Sequence, residues 1–450
     1  MKKRLRKLSF LFILLILCSS KIFSQDISID TNFNNIIRKN SGGWVAADAT
    51  YSILLPDNRT LWLFGDTFIG ETNNEGGIKP GSTMIRNSAI IMDGDSLRSL
   101  YNGTFENPID FIPTDNPDLT WYWPEHGTVE NDLLIIFLAK FTTDPEAPPG
   151  WNFKYVGQDV AYFSYPEIEF IEIKELPFYA KNGVMYGPRI MNKNEFTYIY
   201  GRKEEDLNGF KLPYPHVARI KNGSKNEWEF FDGEGWLSSP ESTAPMIDFP
   251  VSQQFGVFKH LNKYILITQD IWLSPKIYSF TSESPVGPWE NKKLLYTTPI
   301  LFENSFTYNA YPHPQFNENN ELLLSYNTNG DFWDIFTNVE LYRPNFIRIP
   351  YELIDDDFKI NSSTKIEQNS CKVYPNPVKD SFTLLFYHSE SDAAKFTLNY
   401  LNGSIAKTFL FDNLSPGNQI KNLDINELSS GIYIGVLSTK SNIKTLKIIK

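Results

Sequence analysis

Cysteine is almost missing from this 450-residue chain, which has only Cys18 and Cys371. Cys18 lies in a stretch that reads as a removable leader. The mature chain would then keep one cysteine and no internal disulfide, so its stability must come from a packed core. Histidine is scarce too. The five residues His126, His216, His260, His313 and His388 are scattered without ligand spacing, which argues against a metalloenzyme; no metal or other cofactor is expected. Past the first 24 residues no run is apolar enough to cross a membrane, and no stretch carries the period of a long amphipathic helix. Positive charge is also short in the main part of the chain. The leader holds six basic residues and residues 371–450 hold nine Lys against six acids, which leaves 27 basic and 47 acidic residues in 25–370, a net charge of −20. A surface so acidic repels phosphate backbones, so nucleic acid is not an expected partner.

What is present starts with export. Lys2, Lys3, Arg4, Arg6 and Lys7 precede an apolar run from Leu8 to Leu17 and a short polar stretch, the order of a signal peptide over residues 1–24. Cleavage is expected after Ser24. A lipidation site at Cys18 is disfavoured because Leu17, rather than a small residue, stands before it.

Residues 25–360 repeat one pattern five times: a short strand, a polar turn, then a strongly apolar strand. The second strands start at Leu61, Leu133, Phe196, Tyr264 and Leu322, spaced 72, 63, 68 and 58 residues apart. The turns before them are Asp57-Asn58, Glu130-Asn131-Asp132, Lys193-Asn194, Leu261-Asn262 and Asn317 to Asn320, all hairpin signals. A third strand and a weaker fourth follow in most units. Four antiparallel strands recurring five times predict an all-β chain with a five-bladed β-propeller. A pair of β-sandwiches also yields many short strands, but the fivefold recurrence favours the propeller. A polar linker at 361–370 leads into further alternating strands in 371–450, expected to form a small C-terminal β-sandwich.

In a propeller blade the start of the first strand and the end of the second share one rim. Asp48 opens the first such strand and Asp66 closes its partner; reflection about Asp57-Asn58 sets them nearly opposite, with Cβ atoms about 5 Å apart. Two acids so close cannot both ionise freely, so one pKa should rise, as a general acid requires. Sugar hydrolysis needs such a pair, one group to protonate the leaving oxygen and one to attack or activate water. The blander reading is that Asp66 binds turn amides. Glu125, in the Trp-rich stretch Trp121 to Gly127, is a third candidate acid or base, raised by desolvation. The same rim is expected to gather substrate-binding residues: Arg86, Arg189, Arg202 and His313 to orient hydroxyls, Trp121 and Trp123 to stack on rings, with Tyr186, Gln254, Tyr308, Asn309 and Asn327 completing it.

Two resemblances extend this reading. Gly42-Gly-Trp-Val-Ala-Ala-Asp48 through Leu61-Trp-Leu-Phe-Gly-Asp-Thr-Phe68, with Ser284-Pro-Val-Gly-Pro-Trp289 and Tyr342-Arg-Pro-Asn-Phe-Ile-Arg348, resembles the five-bladed propeller families related to microbial endo-D-arabinanases over residues 40–350. That likeness implies glycoside hydrolysis, with Asp48 and Asp66 at the positions of the acidic pair. Val373-Tyr-Pro-Asn-Pro-Val-Lys-Asp380, Leu428-Ser-Ser-Gly-Ile-Tyr433 and a basic last strand resemble the type A C-terminal sorting domain of the type IX secretion system over residues 371–450. It implies recognition by outer-membrane secretion machinery. Together these features predict a secreted or surface glycoside hydrolase, monomeric, acting on a polysaccharide, with a furanose polymer such as arabinan as the candidate substrate. The alternative from another class is a non-catalytic, lectin-like propeller. A sialidase-like enzyme is disfavoured, since repeated Ser-x-Asp-x-Gly-x-x-Trp boxes are missing.

Overall fold

The computed structural model describes residues 26–358 and 371–450, apart from residues 148–149, 208–209, 225–226, 272, 389–391, 415–416 and 441. The expected leader and linker lie outside the described residues. Among those described the chain is mostly β, and the longest helix, Thr31–Ile37, has seven residues.

Five antiparallel sheets of four or five strands follow one another along residues 26–358, together with two smaller ones, Gly43–Ala47 with Thr67–Gly70 and Thr83–Ile85, and Asn102–Gly103 with Pro108–Ile109. The first holds Tyr51–Leu54, Thr60–Phe64, Ser88–Asp93 and Ser96–Leu100; the second Thr120–Glu130, Leu133–Thr143, Phe153–Ser164 and Phe170–Glu175. The third runs from Val184–Lys193 through Phe196–Leu207, Phe210–Lys221 and Trp228–Phe231 to Trp236–Leu237. The fourth holds Gly256–His260, Lys263–Gln269, Lys276–Ser282 and Glu290–Thr297. Every expected hairpin turn bends through left-handed backbone, at Asn58, Asn131 with Asp132, Asn194, Leu261, and Asn319 with Asn320. Asn and Asp tolerate that region, which matches the twist of paired strands.

The fifth sheet holds Phe306–Pro312, Glu321–Asn329 and Pro344–Pro350, and takes its fourth strand, Ser28–Ile29, from the beginning of the described chain. A two-residue strand has no period, so sequence patterning could not reveal it. Asp30 fixes this junction: one carboxylate oxygen accepts the Phe33 N–H at 2.9 Å, and the other accepts from Arg348 Nε at 2.6 Å.

The apolar core is divided among the gaps between sheets. Tyr51, Ile53 and Leu63 of the first sheet pack with Leu134, Ile136 and Phe163 of the second. Val160 of the second meets Ile199 and Phe230 of the third, and Tyr200 of the third meets Val257 and Leu266 of the fourth. Ile265 and Ile277 of the fourth meet Leu324 and Ile349 of the fifth; Leu323 and Phe346 of the fifth return to Trp62 and Ile90 of the first. Each sheet is thus covered on both faces. That is why its central strands read as continuous apolar runs instead of alternating ones.

Residues 371–450 form two further sheets. One holds Cys371–Tyr374, Ser381–His388 and Gly417–Asp424; the other holds Asp392–Asn399, Ile405–Leu414, Ile432–Ser438 and Ile443–Ile449. Phe382, Leu384 and Phe386 of the first share one cluster with Phe396, Leu398 and Leu437 of the second.

Asp30→Ala removes both the helix cap and the buried partner of Arg348. The expected cost is about 3 kcal/mol in chemical denaturation, and an unchanged midpoint would show that the terminal strand contributes nothing to the fifth sheet's closure.

Candidate active site

A single hairpin register carries the two aspartates together. Below them Tyr51 opposes Leu63, and above them Ala47 opposes Thr67 in the pairing of Gly43–Ala47 with Thr67–Gly70, so Asp48 falls opposite Asp66. The Gly65 N–H donates to the Asp48 carbonyl at 3.1 Å, and a side chain at Gly65 would collide with Asp48 Oδ1. Both aspartates are half-buried and reach solvent.

The backbone just after Asp48 is strained. Ala49 has φ 71° and Thr50 φ 39°, a left-handed region that a β-branched residue rarely enters. Neighbouring sheets hold the bend: the Asn327 amide donates to Thr50 Oγ1 at 3.2 Å, and Gln254 Nε2 donates to the Ala49 carbonyl. Comparable irregularities interrupt the inner strands of three other sheets, at Glu125-His126, Gly187-Pro188 and Asn309-Ala310. Bulges of this kind re-aim side chains beside functional sites.

The aspartates have different partners. Asp48 accepts from the Tyr308 hydroxyl at 2.7 Å and from the Tyr342 hydroxyl. Asp66 accepts the Trp123 indole N–H at 3.0 Å and lies 3.4 Å from Arg86 Nη1. Burial first, then the charge of Asp66, pushes Asp48 up to about 7 in spite of the two tyrosine donors. Burial raises Asp66 as well, against the opposing charge of Arg86 and the donation from Trp123. The pair therefore favours its proton on Asp48, while Arg86 and Trp123 draw Asp66 toward the charged form.

Several expected contacts are placed elsewhere. Glu125 lies apart from the aspartates, beside Tyr51, Tyr155 and Tyr311, with Oε1 2.7 Å from Arg202 Nη1 and both side chains nearly enclosed. Burial raises its carboxyl and Arg202 opposes the shift; its Oε2, packed against Gly187, has no hydrogen-bond partner. His313, expected to orient hydroxyls, is fully buried between Ser52 Oγ at 2.6 Å and Ser325 Oγ at 2.8 Å, with its ring against Trp62. Tyr186 is likewise enclosed, packed with Phe178 and Phe230. Trp121 is sealed between the Arg86 guanidinium, 4.4 Å from its ring, and Phe141, so it offers no face to a sugar. Gln254 and Asn327 are buried and brace the Ala49-Thr50 bend instead of lining a cleft. These corrections share one cause: closely packed sheets turn most inner-strand side chains into each other. Arg189 is half-buried, within 3.4 Å of the Tyr311 hydroxyl, and Asn309 is half-buried in its bulge.

Other residues of the site escaped sequence reasoning. Tyr342 was visible only within its motif, and Asp110, whose Oδ1 accepts the Arg86 N–H at 2.7 Å, gave no signal. An arc of rings joins the two carboxylates: Trp123 touches Phe153, Phe153 touches Trp151, Trp151 touches Phe306 and Phe306 touches Tyr308, with centroids 4.9, 6.2, 6.1 and 5.8 Å apart. Trp151 is 41% exposed.

Residues 30–367 match the family model described as Domain of unknown function (DUF5005), and residues 372–450 match the Secretion system C-terminal sorting domain. The latter marks proteins exported by type IX secretion, so this chain goes to the cell surface or beyond. No curated protein matches the chain. Among solved structures, a "putative hydrolase" from Bacteroides ovatus is 21% identical with a TM-score of 0.61, covering 74% of this chain and 92% of its own; it shares the fold. Weaker likenesses are a GH43_1 enzyme from Xanthomonas citri complexed with xylotriose (13% identity, 70% of this chain, 88% of that one, TM-score 0.39) and a glycoside hydrolase family 43 arabinoxylan arabinofuranohydrolase from Bacillus subtilis (11% identity, 90% and 94%, TM-score 0.39).

The raised Asp48 has a thermodynamic consequence. A folded pKa near 7 against an unfolded value near 3.8 means that the folded state binds the extra proton, so stability is highest below pH 4 from this group and is lost as pH rises through 7. Asp48→Asn should therefore stabilise the protein at pH 8 relative to pH 4, by about 4 kcal/mol in chemical denaturation. An equal effect at both pH values would refute the shift.

Proposed function

This chain belongs to the DUF5005 family, and we propose that it is an exported glycoside hydrolase acting on a polysaccharide, with Asp48 and Asp66 as its working carboxylates. The observation that carries the reading is the pairing of these two acids in one hairpin, solvent-reachable, with Asp48 raised to about 7 while Asp66 stays beside Arg86. In this reading Asp48 protonates the departing glycosidic oxygen, and Asp66 attacks the sugar or activates water. The arc from Trp123 to Tyr308 supplies a platform for the apolar face of a sugar ring, with Trp151 the exposed member. Arg86, half-exposed and 3.4 Å from Asp66, opposes the rise that burial imposes on that carboxyl.

The architecture is part of the same proposal. The five sheets, joined by five apolar interfaces that lead from the fifth back to the first, are read as the blades of a propeller over residues 25–360. The two sheets of residues 371–450 are read as a small sandwich that serves as the sorting domain, joined by a linker at 361–370 and preceded by a cleaved leader at 1–24. An arabinan-type furanose polymer is the substrate that the first-blade motif suggests, cleaved by a monomer.

Incubation with a panel of plant and bacterial polysaccharides should release sugars. Asp48→Asn and Asp66→Asn should each lower kcat/KM by about 10³-fold or more while bound glycan is retained; full activity in either variant rules out the pair. With Asp48 as the acid, kcat/KM should fall as pH rises through about 7. Trp151→Ala should raise KM roughly tenfold with a smaller change in kcat, since stacking contributes about 0.5–1.5 kcal/mol beyond burial.

A further inference from the structure

Outside the aspartate mouth, a cavity of about 560 Å³ opens on the flank of the first sheet, within the usual size of small-molecule sites. Its walls come from three places: Lys39 to Gly42 ahead of the strand Gly43–Ala47, Trp44 on that strand, and the outer edge from Leu97 to Phe105. The backbone closes tightly there. Gly43, at φ 131°, approaches so near that an added Cβ would sit 3.2 Å from Ser99 Oγ, and the same oxygen accepts the Trp44 N–H at 3.3 Å. Lys39 is held from behind, because the nearly enclosed Arg343 donates to its carbonyl and anchors Asn40 as well.

The walls of this cavity are basic and aromatic. Lys39 and Arg98 line the cavity, no Asp or Glu does, and neither cation forms an ion pair among the described residues. Cations gathered without partners stand out where residues 25–370 carry a net charge of −20. Beside them are Tyr101, half-buried, and Phe105, 42% exposed. Trp44 also lines the cavity; it is 1% exposed, and its indole N–H has no hydrogen-bond partner. Cations beside ring faces match a sugar that carries a carboxylate.

We propose that this cavity is a second saccharide site that takes an acidic sugar unit, a uronate, with its carboxylate between Lys39 and Arg98 and its apolar face on Tyr101 and Phe105. The assignment rests on the reading of the chain as a polysaccharide-acting protein. Trp44 stands four residues before Asp48 in an extended segment, about 13 Å along the strand. The site would select branched or linear polymers bearing acidic units and hold them near the aspartates.

Titration of the full chain with an oligogalacturonate, and with a neutral xylo-oligosaccharide of equal length, at low and high salt tests this. Expected are saturable binding of the acidic probe, about tenfold weakening in Lys39→Ala/Arg98→Ala, the loss of about one charge-assisted contact, and a similar weakening at high salt. Failure of the acidic probe to bind, equal binding of the neutral one, or unchanged affinity in the double variant overturns the proposal. Hydrolysis of a neutral polysaccharide by the double variant should match the wild type. If no polysaccharide is cleaved by either, yet the acidic probe binds and the double variant weakens it, the hydrolase reading falls and this site stands.

Discussion

Two carboxylates are held face to face by one hairpin whose register runs unchanged from Tyr51–Leu63 past them to Ala47–Thr67, although its backbone bends sharply in between. The rest of the site depends on that arrangement. Adjacent like charges in a partly dry setting repel, so the pair keeps a proton near neutrality and differs in partners: tyrosine hydroxyls on Asp48, an indole and a guanidinium on Asp66. The left-handed turn at Ala49 and Thr50 is costly by itself, of order 1–3 kcal/mol per residue. It persists because Gln254 and Asn327, from the fourth and fifth sheets, bind that stretch from within.

Those braces explain why the fold surrounds the first sheet. A bend stabilised by residues about 200 and 280 positions away exists only when the sheets have returned to their starting point. The short strand Ser28–Ile29, the Asp30–Arg348 pair and the cluster of Trp62 with Phe346 hold the last sheet to the beginning of the chain. The buried Glu125–Arg202 pair and the enclosed His126 and His313 perform a related task inside. Burial drives both histidines far below their ordinary titration range, so they remain neutral hydrogen-bonding groups across the working pH range. For His126, Nδ1 faces the Ile190 N–H, and Nε2 lies 3.1 Å from both the Ser52 carbonyl and Arg189 Nη1.

The opposition of Asp48 and Asp66 was legible because hairpin register is arithmetic around a turn, and Asp57-Asn58 marked the turn clearly. The repeated apolar strands were legible for the same reason that they are buried on two faces. The proposed sugar contacts were read less well. His313, Tyr186 and Trp121 look like rim residues when strands are laid out flat, but close packing of neighbouring sheets buries them. Bulges at Glu125-His126 and Asn309-Ala310 shift the alternation of facing, and no residue type in those stretches announces such a shift.

Local periodicity and turn chemistry determined the strands, their pairing within each hairpin and the acidic pair, since all of these depend on residues close in sequence. The tail's motifs likewise marked export. Tertiary structure alone decided which polar side chains reach solvent, which brace the backbone, and how Trp151 bridges Phe153 and Phe306 between the carboxylates. Those outcomes depend on distances between sheets far apart in the chain, and hydrophobic packing fixes such distances only when every sheet is in place.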